Sequence, residues 1–523
     1  MKKLLCAILS AAVLAGCAAP AVQTTPPSES VSQESFETKW SESGFVRIQL
    51  DDTAPAVALP DGMPETAVTF AQDILYYEAG HGEDYGEGEA WEAHTAQEAA
   101  RHTVVHINAP GTYVLTGKLS AGQIAVDLGE DAKNDPNAVV TLILDSLNIT
   151  CTVAPAVIFY HVYESGQPGT AGANVILADG SLNYITGSHV AKIYKPGTED
   201  KLHKYDAAFY SRMSMTIGGE GFVHIAADNE GLGTEMHLTV NSGEISIVSG
   251  NDGINTNEDG VSVTTVNGGT LRIEVSGSTG EGDGIDSNGS VVINGGHIFA
   301  YACGTSEDSG IDADLGIYLN GGTVAATGNM LDRIEDGGQT YAVFTFAQNQ
   351  KPGLFTLKDE TLAAVCQVET PNTFRNLLLS APTLTEGTYT LWAGETPLQG
   401  VVSPGGYGFI GSGPIEFPQR PGRGDGDVEI PPQPTQPVFV QGQGEGGMPV
   451  PSIPEDVELM PLPQMPQNGE PMPPMPGNPG GVEPPQDGFG RQPIGSAHTV
   501  GILTTEFPIK PGANFFTNLQ AVE

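Results

Sequence analysis

Val240-Asn-Ser-Gly-Glu-Ile-Ser-Ile247, Val266-Asn-Gly-Gly-Thr-Leu-Arg-Ile273, Ile293-Asn-Gly-Gly-His-Ile-Phe-Ala300 and Leu319-Asn-Gly-Gly-Thr-Val-Ala-Ala326 are four copies of one pattern. Their asparagines, Asn241, Asn267, Asn294 and Asn320, are spaced 26, 27 and 26 residues apart. A weaker copy, Ile217-Gly-Gly-Glu-Gly-Phe-Val-His224, lies just upstream. Each copy reads as a short alternating strand, a Gly-rich corner and another alternating strand. A constant period of this length means stacked supersecondary units. Three short strands and three corners per coil use about that many residues, which predicts a parallel β-helix. The four asparagines then form a column whose amides hydrogen-bond along the stack. The alternative takes Asn-Gly-Gly as hairpin turns of a β-sandwich, but hairpins need no constant spacing.

A second motif keeps the same period. Asn251-Asp-Gly-Ile-Asn-Thr-Asn257, Gly282-Asp-Gly-Ile-Asp-Ser-Asn288 and Asp308-Ser-Gly-Ile-Asp-Ala-Asp314 align on Gly-Ile, with Asn229-Glu-Gly-Leu232 as a weaker member. The aliphatic residue is expected to point into the core. Two polar columns flank it: Glu230, Asp252, Asp283 and Ser309 before the glycine, and Asn255, Asp286 and Asp312 after the isoleucine.

Stacking sets equivalent residues about 4.8 Å apart, where two carboxylates repel by about 3.5 kcal/mol at an effective dielectric near 20. Residues 217–330 hold 16 Asp and Glu, one Arg (Arg272) and no Lys. A hard divalent cation relieves such a column, because Ca²⁺ takes roughly six to eight oxygens from carboxylates, amides and backbone carbonyls. Asp252, Asn255, Asp283, Asp286, Asp308 and Asp312 are therefore the candidate Ca²⁺ ligands. The alternative is that Asp-Gly and Asn-Gly merely serve left-handed turns. His224, His237 and His297 are isolated and read as packing or surface residues.

The whole chain extends the picture. It has 523 residues and a formal charge of −42, from 63 acids against 21 bases. No clustered Lys and Arg are present to neutralise phosphates, so a nucleic-acid partner is excluded. Gly and Pro, 68 and 39 residues, argue against a helical protein. Residues 1–16 read as a signal peptide, with Lys2 and Lys3 ahead of an apolar run too short to span a bilayer. Leu14-Ala15-Gly16-Cys17 resembles a bacterial lipobox and marks Cys17 for lipidation, followed by a flexible tether over 17–44. Residues 45–104, with a possible strand at Glu65–Phe70, form an N-terminal cap region, and 105–330 carry the β-helix. A small β-rich domain spans 340–411 and is completed by 497–523. It is interrupted by 412–496, a disordered low-complexity insertion holding 21 of the 39 prolines. Cys151, Cys303 and Cys366 suggest neither disulfides nor a metal site.

The lipobox, Gly111-Thr-Tyr-Val-Leu-Thr-Gly117, Gln123-Ile-Ala-Val126, both repeats and Gly353-Leu-Phe-Thr-Leu357 together resemble the clostridial carbohydrate-binding-domain lipoproteins, which implies an all-β, right-handed parallel β-helix like that of polysaccharide lyases. The resemblance implies calcium in the acidic corners and binding of plant-type polysaccharides, acidic ones included. Members of the family often carry Lys after Asp-Gly-Ile, where this chain has Asn255, Asp286 and Asp312. A uronate lyase needs a basic group to take the C5 proton, and the central coils offer only Arg272, with Arg212 upstream. The expectation is a monomeric, non-catalytic, polysaccharide-binding lipoprotein, anchored to the extracellular face of the membrane. A calcium-dependent polysaccharide lyase is the alternative, and a structural or adhesive surface protein the third reading.

Overall fold

The computed structural model describes residues 44–82, 84–403 and 503–522. The signal-like segment, Cys17, nearly all of the tether and the 412–496 insertion lie outside the described residues. Those described are almost entirely strand, and Ala96–Ala99 is the one α-helix among them.

The chain deposits strands on three parallel ladders and visits them in turn from Ala173 onward. The first runs through Gly111–Leu119, Val140–Thr150, Ala173–Leu177, Met215–Gly219, Leu238–Val240, Val263–Val266, Ser290–Ile293 and Gly316–Leu319. The second runs through Leu182–Gly187, Phe222–Ala227, Glu244–Ser249, Thr270–Val275, His297–Tyr301 and Thr323–Gly328. The third begins at Thr103–Ile107 and passes through Gly122–Asp127, Val157–His161, Ala207–Ser211, Glu230–Thr234, Ile254–Thr256 and Ile285–Ser287. Strand alternation turns every second residue inward. Val240, Ile247, Ile254, Val266, Ile273, Ile285 and Ile293 thus meet in one buried cluster fed by all three ladders.

The Asn-Gly-Gly corner has a steric logic that differs between its two glycines. A Cβ on Gly295 would lie 2.5 Å from the Asn267 carbonyl oxygen one coil below, and one on Gly321 at 2.5 Å from that of Asn294. The second glycine takes positive φ, +83° at Gly269 and +87° at Gly296, a region costly for side chains. The asparagine column forms as the spacing predicts. Asn267 Nδ2 donates to Asn241 Oδ1 at 2.9 Å, Asn294 to Asn267 at 2.9 Å and Asn320 to Asn294 at 2.8 Å. Asn267→Ala removes two of these bonds and Asn320→Ala one, at about 0.5–1.5 kcal/mol each. Urea midpoints are expected to fall in that order.

Residues 46–104 add strands to the same ladders. Val46–Leu50 pairs in parallel with Gly111–Leu119, and Val68–Ala71 pairs antiparallel with Thr103–Ile107. The strand expected at Glu65–Phe70 starts only at Val68, because Glu65–Ala67 form a 3₁₀ turn behind Pro64. A buried imidazole ties this region to the stack. His189 Nε2 lies 2.9 Å from Glu92 Oε1, and its Nδ1 3.2 Å from Asp228 Oδ1. Burial opposes its charge, but the two carboxylates outweigh this and raise its pKa to about 10. A raised folded pKa gives stability that is complete below the unfolded value of about 6.5 and lost as pH rises through about 10. His189→Gln is expected to lower the melting temperature at pH 6 and to leave it nearly unchanged above pH 10.

Beyond the ladders, Phe374–Ser380 pairs antiparallel with both Thr323–Gly328 and Tyr341–Gln350. Ala513–Ala521 pairs in parallel with Tyr341–Gln350 and antiparallel with Thr396–Val402, across the 412–496 gap in sequence. Phe344, Phe346, Phe355, Phe374, Phe507 and Phe516 form a second apolar cluster that also takes in Tyr301 of the second ladder.

Candidate functional site

The acidic columns run along the corner that leads into the third ladder. Backbone pairing sets their register: Gly231 N–H donates to the Asp252 carbonyl, Gly253 to Asp283 and Gly284 to Ser309, at 3.0, 3.0 and 3.1 Å. Asn255 then pairs with Asp286, and Ile285 bridges to Ile311. Each glycine is dictated by the neighbouring coil. A Cβ on Gly253 would lie 2.0 Å from Ile273 Cγ2, and one on Gly284 at 2.4 Å from the Gly310 carbonyl oxygen. None of Gly231, Gly253, Gly284 and Gly310 is among the positive-φ glycines. The left-handed-turn explanation of Asp-Gly therefore fails here, and the carboxylates need another reason.

The column before glycine has a backbone role. Asp252 Oδ1 accepts the Asp283 N–H at 2.8 Å, and Asp283 Oδ1 accepts that of Ser309 at 2.5 Å. Asp308 is engaged elsewhere: its Oδ2 accepts from Gly282 N of the preceding repeat at 2.6 Å and from the neighbouring Ser306 hydroxyl. Asp283, Asp286 and Asp312, all half-buried, converge, with one oxygen of each within 4.8 Å of the others. Asn255 sits one coil below, donating to Glu230 Oε1 at 3.0 Å and Asp252 Oδ2 at 3.2 Å. Its Oδ1 and Glu230 Oε2 are buried without a hydrogen-bond partner.

Electrostatics mark the same place. Burial first, then the Asp312 and Asp252 charges, push Asp283 up to about 9. Burial, and then Asp252 and Asp314, raise Asp286 to about 7. Asp252 rises to about 7, chiefly by burial and with Asp308 adding to it. Glu230, only 5% exposed, is pushed well above the carboxylate range by burial and by Asp206 and Asp252. Three converging carboxylates, of which Asp283 and Asp286 resist ionisation, beside an unpartnered amide oxygen, form an all-oxygen donor set that fits a hard cation. Asp283, Asp286 and Asp312 would hold it, with Asp252 and Asn255 next in reach. Asp308 stands outside that group, engaged by Gly282 N and Ser306.

Two groups were missed from sequence. Lys204, in the hairpin formed by Val190–Tyr194 and Lys201–Tyr205, pairs with Asp206 at 2.8 Å and relieves the lower end of the column near Glu230. Asp332, raised by burial, accepts the Ala313 N–H at 2.9 Å at the upper end. Neither belongs to a repeat, so spacing gave no signal. The three histidines sit apart as expected. His224 bonds Ser246, His237 Nδ1 accepts from Val263 N, and His297 is exposed.

Residues 101–342, which carry most of the ladders, match a family described as carbohydrate-binding domain-containing protein. A curated protein of that description from Acetivibrio thermocellus is 33% identical over 144 residues, 27% of this chain. The match spans 44% of that relative's length. Among solved structures, a polysaccharide lyase-like protein from C. thermocellum, a gadolinium derivative, matches with a TM-score of 0.33 and 22% identity. That match covers 53% of this chain and 83% of the other. The repeat region is thus similar to carbohydrate-binding domain-containing proteins.

Proposed function

We propose that the chain is a surface lipoprotein that binds polysaccharide, without cleaving it, through a calcium-stabilised right-handed parallel β-helix. The glycan part rests on the family match over 101–342. The helical winding is supported by the visiting order of the ladders and by the right-handed preference of parallel crossovers. The convergence of Asp283, Asp286 and Asp312 is the observation that carries the calcium part. There the ion would neutralise facing carboxylates and lock successive coils together. Lipidation of Cys17 and attachment to the outer face of the membrane follow from the lipobox-like residues.

Pull-downs with cellulose, xylan and polygalacturonate, with calcium or with chelator, test the reading. Retention on at least one glycan is expected, and retention on none would sink it.

A lyase is the alternative, and Lys204 is a base beside the acidic column. Burial opposes its charge, but Asp206 and Glu230 outweigh this and hold its pKa above the usual range. A general base needs the opposite shift. Release of an unsaturated, ultraviolet-absorbing uronate from polygalacturonate would decide for the lyase.

A further inference from the structure

The second ladder carries a row, half-buried except for the buried His224, that the acidic corner does not use. Tyr184, His224, Ser246, Arg272 and Phe299 follow one another on successive rungs. Arg272 is the sole base of residues 217–330. Its guanidinium lies over the Tyr301 ring, 5.3 Å from the centroid, with Nη1 3.4 Å from the Tyr301 hydroxyl. Among the described residues it forms no ion pair with a carboxylate, although the chain is rich in them.

Arg272 opens into a cleft of about 350 Å³, whose other walls are Pro352, Gly353, Glu369, Thr370 and Pro371. Those walls are held in place. Thr370 is tied to Gly353 by its hydroxyl, donating to the carbonyl at 3.1 Å and accepting the N–H at 3.2 Å. Asn372 Nδ2 donates to the Val275 and Ala302 carbonyls at 2.8 and 2.7 Å, binding the next turn to two coils at once. A guanidinium and an exposed carboxylate thus line one preformed cleft without closing on each other.

We infer that this cleft is a saccharide subsite, in which Arg272 donates to and Glu369 accepts from the hydroxyls of a neutral sugar. This inference rests on the polysaccharide-binding reading above and places that binding on a definite face. Adjacent pyranose hydroxyls offer both a donor and an acceptor, and charged partners form the stronger hydrogen bonds to them. An anionic sugar suits the cleft less, since Glu369 faces it and the chain carries a formal charge of −42. From the cleft the row continues over the small Ser246 and the buried His224 to Tyr184, whose half-buried ring lies 6.3 Å from that of Phe222. Three rungs span about 14 Å, enough for a short oligosaccharide to lie across the strands and meet an aromatic face at its far end.

Affinity electrophoresis of the full chain, with calcium present, through gels containing soluble xylan, mixed-linkage β-glucan or polygalacturonate tests this. Wild type is expected to be retarded by a neutral glycan. Glu369→Gln and Arg272→Gln are expected to lose at least tenfold in affinity with unchanged circular dichroism, and Thr265→Ala, on the first ladder, to retain it. Glu369 is exposed and its isosteric change spares the fold, so it decides the matter if Arg272→Gln misfolds. Full retention by Glu369→Gln, or binding by wild type to polygalacturonate alone, would overturn the subsite and leave the general reading standing. Absence of binding to all three glycans would overturn the subsite, and no retention on cellulose either would remove the general reading as well.

Discussion

Calcium-free protein is expected to lose thermal stability steadily between about pH 5 and pH 9, and calcium to restore it most at the alkaline end. The sign follows from the direction of the shifts. Asp252, Asp283 and Asp286 have folded pKa values raised from 3.8 to about 7, 9 and 7. Across that window the folded state holds more protons than the unfolded state, so stability falls as pH rises. Above the window the full cost of three facing, desolvated carboxylates is present. A cation that neutralises them contributes about 2.7 kcal/mol at one hundred times its dissociation constant. It competes with protons for the same oxygens, so its effect shrinks towards pH 5. Melting curves with calcium and with chelator at pH 5, 7 and 9 measure this directly. Asp283→Asn is expected to flatten the pH dependence without calcium and to weaken the calcium response. A calcium-free melting temperature independent of pH would refute the assignment.

Ile285→Ala is expected to be the most damaging single truncation in the repeats, at about 2–5 kcal/mol. Ile285 is fully buried in the third ladder, paired with Ile254 below and bridged to Ile311 above. Loss of its side chain opens a cavity between coils, where close-packed glycines leave little room to relax. The change also loosens the corner that aims Asp286, so the calcium-dependent rise in melting temperature is expected to shrink with the urea midpoint. Thr265→Ala, on an outward position of the first ladder, is the control and is expected to change stability by no more than about 0.5 kcal/mol.

What spacing makes legible is whatever repeats. Equivalent positions one period apart become partners: Ile254 with Ile285, Asn255 with Asp286, and Asn241 through Asn320 in one amide column. The acidic columns were legible for the same reason. Three things were not. Lys204 reaches the column from a hairpin that interrupts the period, and no register extends across such an insertion. Asp308 stands one residue ahead of the column position that Ser309 fills, and its carboxylate is taken by Gly282 N and Ser306, a hydrogen-bonding choice that spacing does not encode. Residues 46–104 join the ladders through partners far along the chain, such as Val46–Leu50 on Gly111–Leu119, with no internal copy to announce them. The Arg272 cleft was hidden similarly, since its second wall comes from strands roughly a hundred residues later.

The amide column has one further property: every bond in it points the same way, from the later coil back to the earlier. Each coil therefore presents its successor with the same acceptor that it meets in its predecessor. A whole unit of 26 or 27 residues, lifted out or duplicated at the asparagines, meets neighbours already shaped for it. A part of a unit does not, because it would shift every later side chain off its rung. The length of this protein can thus change in steps of about 4.8 Å and in no smaller increment, which makes the repeat a ruler as well as a scaffold.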